Sequence, residues 1–251
     1  MSFLSENLLV LDSVDSTNNY AMALVQKGEK SAIKPVFAME QTHGKGRRGK
    51  HWKTSKGANI ILSIPMQMQW LPVSQQFQLS VAVALSCIDL FSKHILANLF
   101  IKWPNDIFIG DSKAGGILIE NIIKGTLWQW SVVGIGLNIN QEEFEEFNLK
   151  ATSLKLATGK SYDILNLAEE LYLLVLKRME ELRSGNFEKI LEEYNRYLFA
   201  RNKMVKLKKE NIVFETKIIG VTPLGKLITK DAFERKFDFD EVEFKGLAER
   251  I

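Results

Sequence analysis

Apolar positions along the chain follow two spacings, and the order in which those spacings succeed one another outlines the fold. LLVLDSV, residues 8–14, is a short apolar run of strand length. DSTNNYAMALVQKGE then changes to helical spacing: Asp15, Ser16 or Thr17 can cap it, Tyr20 and Leu24 share a face, and Gly28 ends it. PVFAMEQ (35–41) and ANIILSIPM (58–66) read as strands, the second buried and rich in β-branched residues. Residues 74–93 predict a helix with Phe77, Val81, Leu85, Ile88 and Phe91 in one stripe. LFIKWP (99–104) is a strand stopped by Pro104. GGILIENII (115–123) and LWQWSVVGIGLNIN (127–140) read as strands paired through a turn near Lys124-Gly125. Two helices follow, at about 163–182 and 186–199.

After Arg201 the pattern breaks into several short alternating strands, with a turn at Pro223 and Gly225, as in a small β-barrel. The expected division is therefore residues 1–200 and residues 201–251, in a chain of mixed helices and strands. A length of 251 residues suits one large core with a small satellite. With 46% hydrophobic and 25% charged residues, the composition is that of an ordinary globular protein. A net charge of +3 does not by itself mark a nucleic-acid binder. The lone Cys87 lies in the apolar helix and reads as a core residue, which suits a reducing compartment. With no apparent signal peptide or membrane span, a cytoplasmic location is expected.

Charge matters locally. EQTHGKGRRGKHW, residues 40–52, sets Lys45, Arg47, Arg48 and Lys50 among three glycines, so it forms neither helix nor strand readily. It is close to a phosphate loop, yet His51 stands where Ser or Thr is required and the chain runs on to a strand. The physics survives: glycines let the backbone approach an anion, and the basic side chains supply charge. Read alone, the loop is most simply a solvated surface segment, and a nucleic-acid patch, for which only Trp52 supplies an adjacent stacking aromatic, is the second alternative. KWPNDI (102–107) ends a strand, Lys113 precedes the pair Gly115-Gly116, and Gly134, Gly136 and Asn138 mark another strand end. His43, His51 and His94 are not placed to form a metal-ligand set. The acidic run at Glu142–Phe147 reads as a solvated edge.

Taken jointly these segments resemble biotin protein ligase. The matching stretches are DSTN (15–18), Gln41, GKGRRGKHW (44–52), KWPNDI, KAGGILIE (113–120) and GIGLNIN (134–140), in the family's order from about Val10 to Asn140. The last strands, with GVTPLGKLI, look like its C-terminal domain. The resemblance implies an α/β (α+β) fold: a catalytic mixed sheet with helices of the biotin/lipoate ligase type, then a small SH3-like barrel. Lys45 replaces the family's usual arginine. The chain begins at the catalytic domain's first strand, so a ligase without the repressor domain of some relatives is expected.

The resemblance also implies roles. Ser16, Thr17, Asn18 and Gln41 would meet the ureido ring of biotin, which needs both donors and acceptors. The loop, through Gly44, Lys45, Gly46 and Arg47, would close over biotin and its adenylate, with Gly115 and Gly116 leaving room for the ligand. Lys113 would be the catalytic lysine, helped by Arg47 and Mg²⁺ in offsetting the repulsion between a carboxylate and the α-phosphate of ATP. Asp106 would orient Lys113 or the metal, whose ligands stay unassigned. Trp52 would stack on adenine and Asn138 bond to it, with Arg48, Lys102 and Asn105 also at the nucleotide. Biotin, ATP with Mg²⁺ and the biotin carboxyl carrier domain of a carboxylase would be the partners. Neither DNA nor a membrane is expected, and a homodimer stays open. The rival readings are a lipoate–protein ligase and, in another class, a nucleic-acid-binding protein.

Overall fold

The computed structural model describes residues 6–28, 33–96, 98–144 and 150–245; the side chain of Arg48 lies outside the described residues, as does part of the acidic run, residues 145–147. A seven-stranded sheet carries the site. Its chain order is β1 (Leu9–Leu11), β2 (Val36–Ala38), β3 (Asn59–Gln67), β4 (Leu99–Lys102), β5 (Asp106–Ile109), β6 (Ser112–Lys124) and β7 (Leu127–Asn138). In space the order is β1-β2-β3-β7-β6-β5-β4. Only β1 and β2 run parallel; the remaining pairs are antiparallel. The hairpin β6–β7 turns at Lys124 and Gly125, where Gly125 takes φ 61°. A side chain with a β-carbon is disfavoured there, so glycine suits this turn.

Alternation along β3 and β7 divides the sheet into two faces. Ile60, Leu62 and Ile64, with Val133, Ile135 and Leu137, pack into the main core. That core is covered by α2 (Phe77–Ser92), α4 (Ile164–Arg183) and α5 (Phe187–Arg196). Cys87 is wholly buried in it, and burial pushes its thiol pKa well up, as a core residue requires. The short helix α3 (Leu154–Thr158) had no clear periodic signal; Ser153 caps it by accepting from the Leu156 N–H at 3.2 Å.

The opposite face of the sheet meets α1 (Thr17–Lys27). Its buried residues are Thr17, Asn18, Ala21 and Val25, whereas Tyr20 is 36% exposed and Leu24 only partly covered. The expected Tyr20–Leu24 stripe is thus not the packed one. Small Ala21 and Val25 let the helix lie close to the sheet, and its polar first turn faces inward. Gly28 ends the helix in the left-handed conformation, φ 80°.

The C-terminal strands are β8 (Met204–Lys209), β9 (Ile212–Val221), β10 (Leu227–Lys230), β11 (Glu234–Phe237) and β12 (Glu243–Lys245). They form a second, antiparallel sheet in the order β11-β10-β9-β8-β12. Leu207, Ile218, Val221, Leu227, Phe237 and Val242 join the same apolar cluster as α2 and α4. The Trp103 indole N–H donates to the Gly225 carbonyl at 2.8 Å, and Phe239 packs against Trp103 and Phe77. The small sheet therefore rests directly on the strand end at KWPNDI. No helix among the described residues is long and apolar enough to cross a membrane.

Candidate active site

A cavity of about 520 Å³, counting the solvent space at its open mouth, lies on the α1 face of the large sheet. Its floor is made of glycines. A β-carbon at Gly136 would come within 2.6 Å of the Trp52 indole, and one at Gly134 within 2.3 Å of Asn18 Oδ1. Gly116 faces the same space, with Asp106, Lys113 and Trp52 at ordinary contact distance from its missing β-carbon. Gly115 differs. Its β-carbon would strike Leu137 and the Gly136 carbonyl, so its smallness serves strand packing and not the cavity.

Lys113 lies inside β6 and not in a loop before it. Pairing with β5 slips between Ile107–Gly115 and Phe108–Lys113, which leaves Ala114 as an extra residue. Such a bulge re-aims the side chain beside it. Without the bulge, Lys113 and Gly116 would point to opposite faces. With it, the Lys113 ammonium reaches over Gly116, 2.7 Å from Asp106 Oδ1 and 5.8 Å from the Trp52 ring centroid. The Lys113 backbone is held by residues 150–152: its N–H donates to the Lys150 carbonyl and its carbonyl accepts from Thr152 N–H.

Polar groups at the other end hold one another. The Thr17 N–H and hydroxyl both reach Gln41 Oε1, at 2.7 and 3.0 Å. The Ser63 hydroxyl lies 2.8 Å from Thr17 Oγ1 and 2.6 Å from Asn18 Oδ1. Asn18 Nδ2 donates to Glu120 Oε2 at 2.8 Å and to the Leu118 carbonyl at 3.3 Å. Ser16 stands at the N-cap of α1 with no side-chain bond to a helix N–H, and it lines the cavity. Ser63 and Glu120 were missed as site residues in the sequence. The signal was present for Ser63, a lone serine in an otherwise apolar strand.

The basic loop closes on itself. Gly46 N–H donates to the Lys50 carbonyl, Trp52 N–H to the Gly44 carbonyl, and Arg47–Gly49 make one 3-10 turn. A β-carbon at Gly44 would lie 2.3 Å from the Trp52 carbonyl, so only glycine fits this crossing. Arg47 reaches Asn105 Oδ1 at 3.4 Å and Asp240 Oδ1 at 3.1 Å, with its guanidinium 5.6 Å from the Phe239 ring centroid. Lys45 pairs at 3.8 Å with Glu120. Trp52 divides the cavity from a second groove lined by Gln41, Gly44, Thr54, Gln141 and Phe144. Its indole N–H is buried without a partner among the described residues.

Of the expected site residues, Ser16, Thr17, Asn18, Gln41, Lys45, Gly46, Arg47, Trp52, Asn105, Asp106, Lys113 and Gly116 line one cavity. Gly44 lines the adjoining groove. Asn138 is buried and donates to the Thr152 carbonyl at 3.0 Å. Lys102 is also buried, its ammonium 5.3 Å from the ring centroids of Phe108 and Phe244. Burial lowers its pKa to about 8, with Asp106 opposing and Lys113 and Lys50 assisting the shift.

The chain that builds this glycine-floored cavity is similar in sequence and fold to known proteins. Residues 10–138, just over half of the chain, match the Biotin/lipoate A/B protein ligase family, and the chain belongs to it. It is 26% identical over 242 residues to the bifunctional ligase/repressor BirA of Bacillus spizizenii, covering 94% of this chain and 74% of that protein. It is 34% identical over 148 residues to biotin--[acetyl-CoA-carboxylase] ligase of Mycobacterium tuberculosis, covering 58% and 53%. The fold matches biotin protein ligase from Aquifex aeolicus in complex with biotin and ATP, with a TM-score of 0.81 at 23% identity over 96% of this chain and 99% of that one.

Proposed function

We propose that this protein is a biotin protein ligase. It joins biotin to AMP at the expense of ATP, then passes the biotinoyl group to a lysine of a carboxylase's biotin carboxyl carrier domain. The observation that carries this reading is the placement of Lys113, held by Asp106, in the same cavity as the wall of Ser16, Thr17, Asn18 and Gln41. The wall suits a polar ring, and the lysine suits an anion at the far end of a ligand that spans both.

In the first step a biotin carboxylate oxygen attacks the α-phosphorus and pyrophosphate leaves. Two anions must meet, so fixed cations are needed where charge builds up. Lys113 supplies one at the floor and Arg47 another from the loop. Trp52 offers a face for adenine stacking, and Asn138 supports the strand end beneath it. Magnesium would arrive with ATP as its counter-ion, and the phosphates together with Asp106, the carboxylate that lines the cavity, would offer it oxygen ligands. In the second step the neutral amine of the carrier lysine attacks the anhydride carbonyl and AMP leaves.

A lipoate ligase shares the fold family, but a dithiolane ring brings no hydrogen-bonding groups to match the polar wall of Ser16, Thr17, Asn18 and Gln41. The test is to incubate the protein with ATP, Mg²⁺ and either acid. Pyrophosphate release and a biotinoyl-adenylate mass with biotin, and neither with lipoate, are expected. Turnover of lipoate alone would overturn the assignment.

A further inference from the structure

Ser63 lies on β3 behind the cavity wall, with no solvent exposure, and does not line the cavity. Its hydroxyl nevertheless decides how many protons the wall contains. Four oxygens form a chain: Gln41 Oε1, Thr17 Oγ1, Ser63 Oγ and Asn18 Oδ1, spaced 3.0, 2.8 and 2.6 Å. Both ends are acceptors. The Thr17 backbone N–H donates to Gln41 at 2.7 Å, so the atom there is the amide oxygen. Asn18 turns its NH₂ to the Glu120 carboxylate and the Leu118 carbonyl, so its oxygen faces Ser63. Between these ends stand two hydroxyls, each with one proton. Three contacts therefore share two protons, and one link is always without a hydrogen.

We infer that Ser63 is a specificity-determining positioning residue: with Thr17 it makes the ring-binding wall one proton short, so the site is completed by a ligand ring that brings its own N–H. The inference rests on the reading of this cavity as a biotin site. A cyclic urea supplies such donors. A ring with oxygen in place of that N–H meets lone pair with lone pair. Such a site rejects a ligand lacking the donor strongly, because buried polar groups are then left unpaired. Ser63 touches no reacting atom, so its loss affects binding before chemistry. Removing it orphans Asn18 Oδ1 and leaves the Thr17 hydroxyl with Gln41 alone.

The test uses the full chain and measures KM for biotin and kcat for adenylate formation in Ser63→Ala and Ser63→Thr. The alanine variant is expected to raise KM by about tenfold or more while kcat stays within about threefold, the split of a residue that acts on ground-state binding. The threonine variant, which keeps the hydroxyl, is expected to return most of the affinity. Ser63→Val, matched in shape to threonine, is expected not to, which separates the hydroxyl from the added methyl group. For the unmutated protein, a biotin analogue with a cyclic carbamate in place of the urea should bind at least about 30-fold more weakly, as expected of a wall built for N–H. Unchanged KM in a folded Ser63→Ala, equal affinities of the threonine and valine variants, or equal binding of the carbamate would each overturn the inference. Failure of the unmutated protein to bind biotin at all would instead overturn the function on which it rests.

Discussion

At the Thr17 end of the cavity, polar side chains are tied to one another; at the Lys113 end, cations are tied to carboxylates that another anion can replace. Thr17, Gln41, Ser63, Asn18 and Glu120 form one connected set at 2.6–3.0 Å. Lys113 rests on Asp106 and Arg47 on Asp240. The first arrangement is preorganised and loses little freedom when a ring arrives. The second is a set of ion pairs: each cation is kept in place by a carboxylate with which an entering phosphate would compete. On the proposed reading, the ring end is fixed by bonds that tie α1 and Gln41 to the large sheet, whereas the anion end pairs Lys113 with Asp106 inside that sheet and the loop's Arg47 with Asp240 of the C-terminal region.

Removing Lys113 should expose this contrast most strongly. Lys113→Ala is expected to slow pyrophosphate release by about 10²–10³-fold, the usual worth of a group placed where charge develops. Biotin affinity without ATP should change by no more than about threefold, because the ring end is left intact. Rapid-quench measurement of adenylate gives the rate, and calorimetry gives the affinity. A large loss of biotin affinity with a normal rate would reverse the roles of the two ends.

Trp52 stands between the two grooves, and its removal should weaken ATP more than biotin. Trp52→Ala is expected to cost about 1–3 kcal/mol in ATP binding, the range for aromatic stacking on a base. Calorimetry with ATP in the presence of biotin reads this directly. An unchanged ATP affinity would place the base away from this indole.

How legible the two ends were differs for a physical reason. The residues proposed to meet the ligands, among them Thr17, Gln41, Arg47, Trp52 and Lys113, stand in motifs that can be read along the chain. Their supports depend on register. Ser63 meets Thr17 only because β3 turns that parity toward α1. Lys113 meets Asp106 only because Ala114 is an extra residue, and no spacing in KAGG announces a bulge. Gly115 and Gly116 look equivalent in sequence, yet one faces Leu137 and the other the cavity. The strand β5 was missed because four residues between a turn and Gly110 give too short a period. The contact of Arg47 with Asp240 joins segments far apart in the chain, which local pattern cannot anticipate. A core that runs on into the C-terminal sheet was likewise hidden behind the change of pattern after Arg201.

Lys102 sharpens the anion end through pH. Its folded pKa of about 8 lies below the ordinary 10.5 because the side chain is buried. Between these values the unfolded chain binds more protons than the folded one, so the stability of the ligand-free protein should rise with pH across that window. The cationic form is lost above about pH 8, so kcat/KM for ATP should fall there while stability climbs. Lys102→Arg, which keeps its charge, should flatten that falling limb. The measurements are denaturant melts and initial rates from pH 7 to about pH 11, the span that brackets both values. A falling limb that persists in the arginine variant would assign the titration to another group.

The smallest effect expected is at Asp240, where the two sheets meet over the loop. Its carboxylate holds Arg47 at 3.1 Å, while the same guanidinium reaches Asn105 and lies over Phe239. Asp240 has φ 73°, a left-handed backbone that asparagine tolerates better than alanine, so Asp240→Asn removes charge with little added strain. The pair is partly exposed, with side-chain exposures of 29% and 46%, and such pairs contribute about 0–1 kcal/mol. Stability should therefore move by no more than that. Affinity for ATP should move in a definite direction: Asp240 competes with phosphate for Arg47, so its neutralisation should tighten binding by up to about fivefold, the equivalent of about 1 kcal/mol. The gain should shrink as salt rises, because an exposed charge is screened. Calorimetric titration with ATP at low and high salt measures both quantities. Weaker ATP binding in the asparagine variant would show that Asp240 holds Arg47 ready for phosphate, and would move the C-terminal sheet from competitor to support.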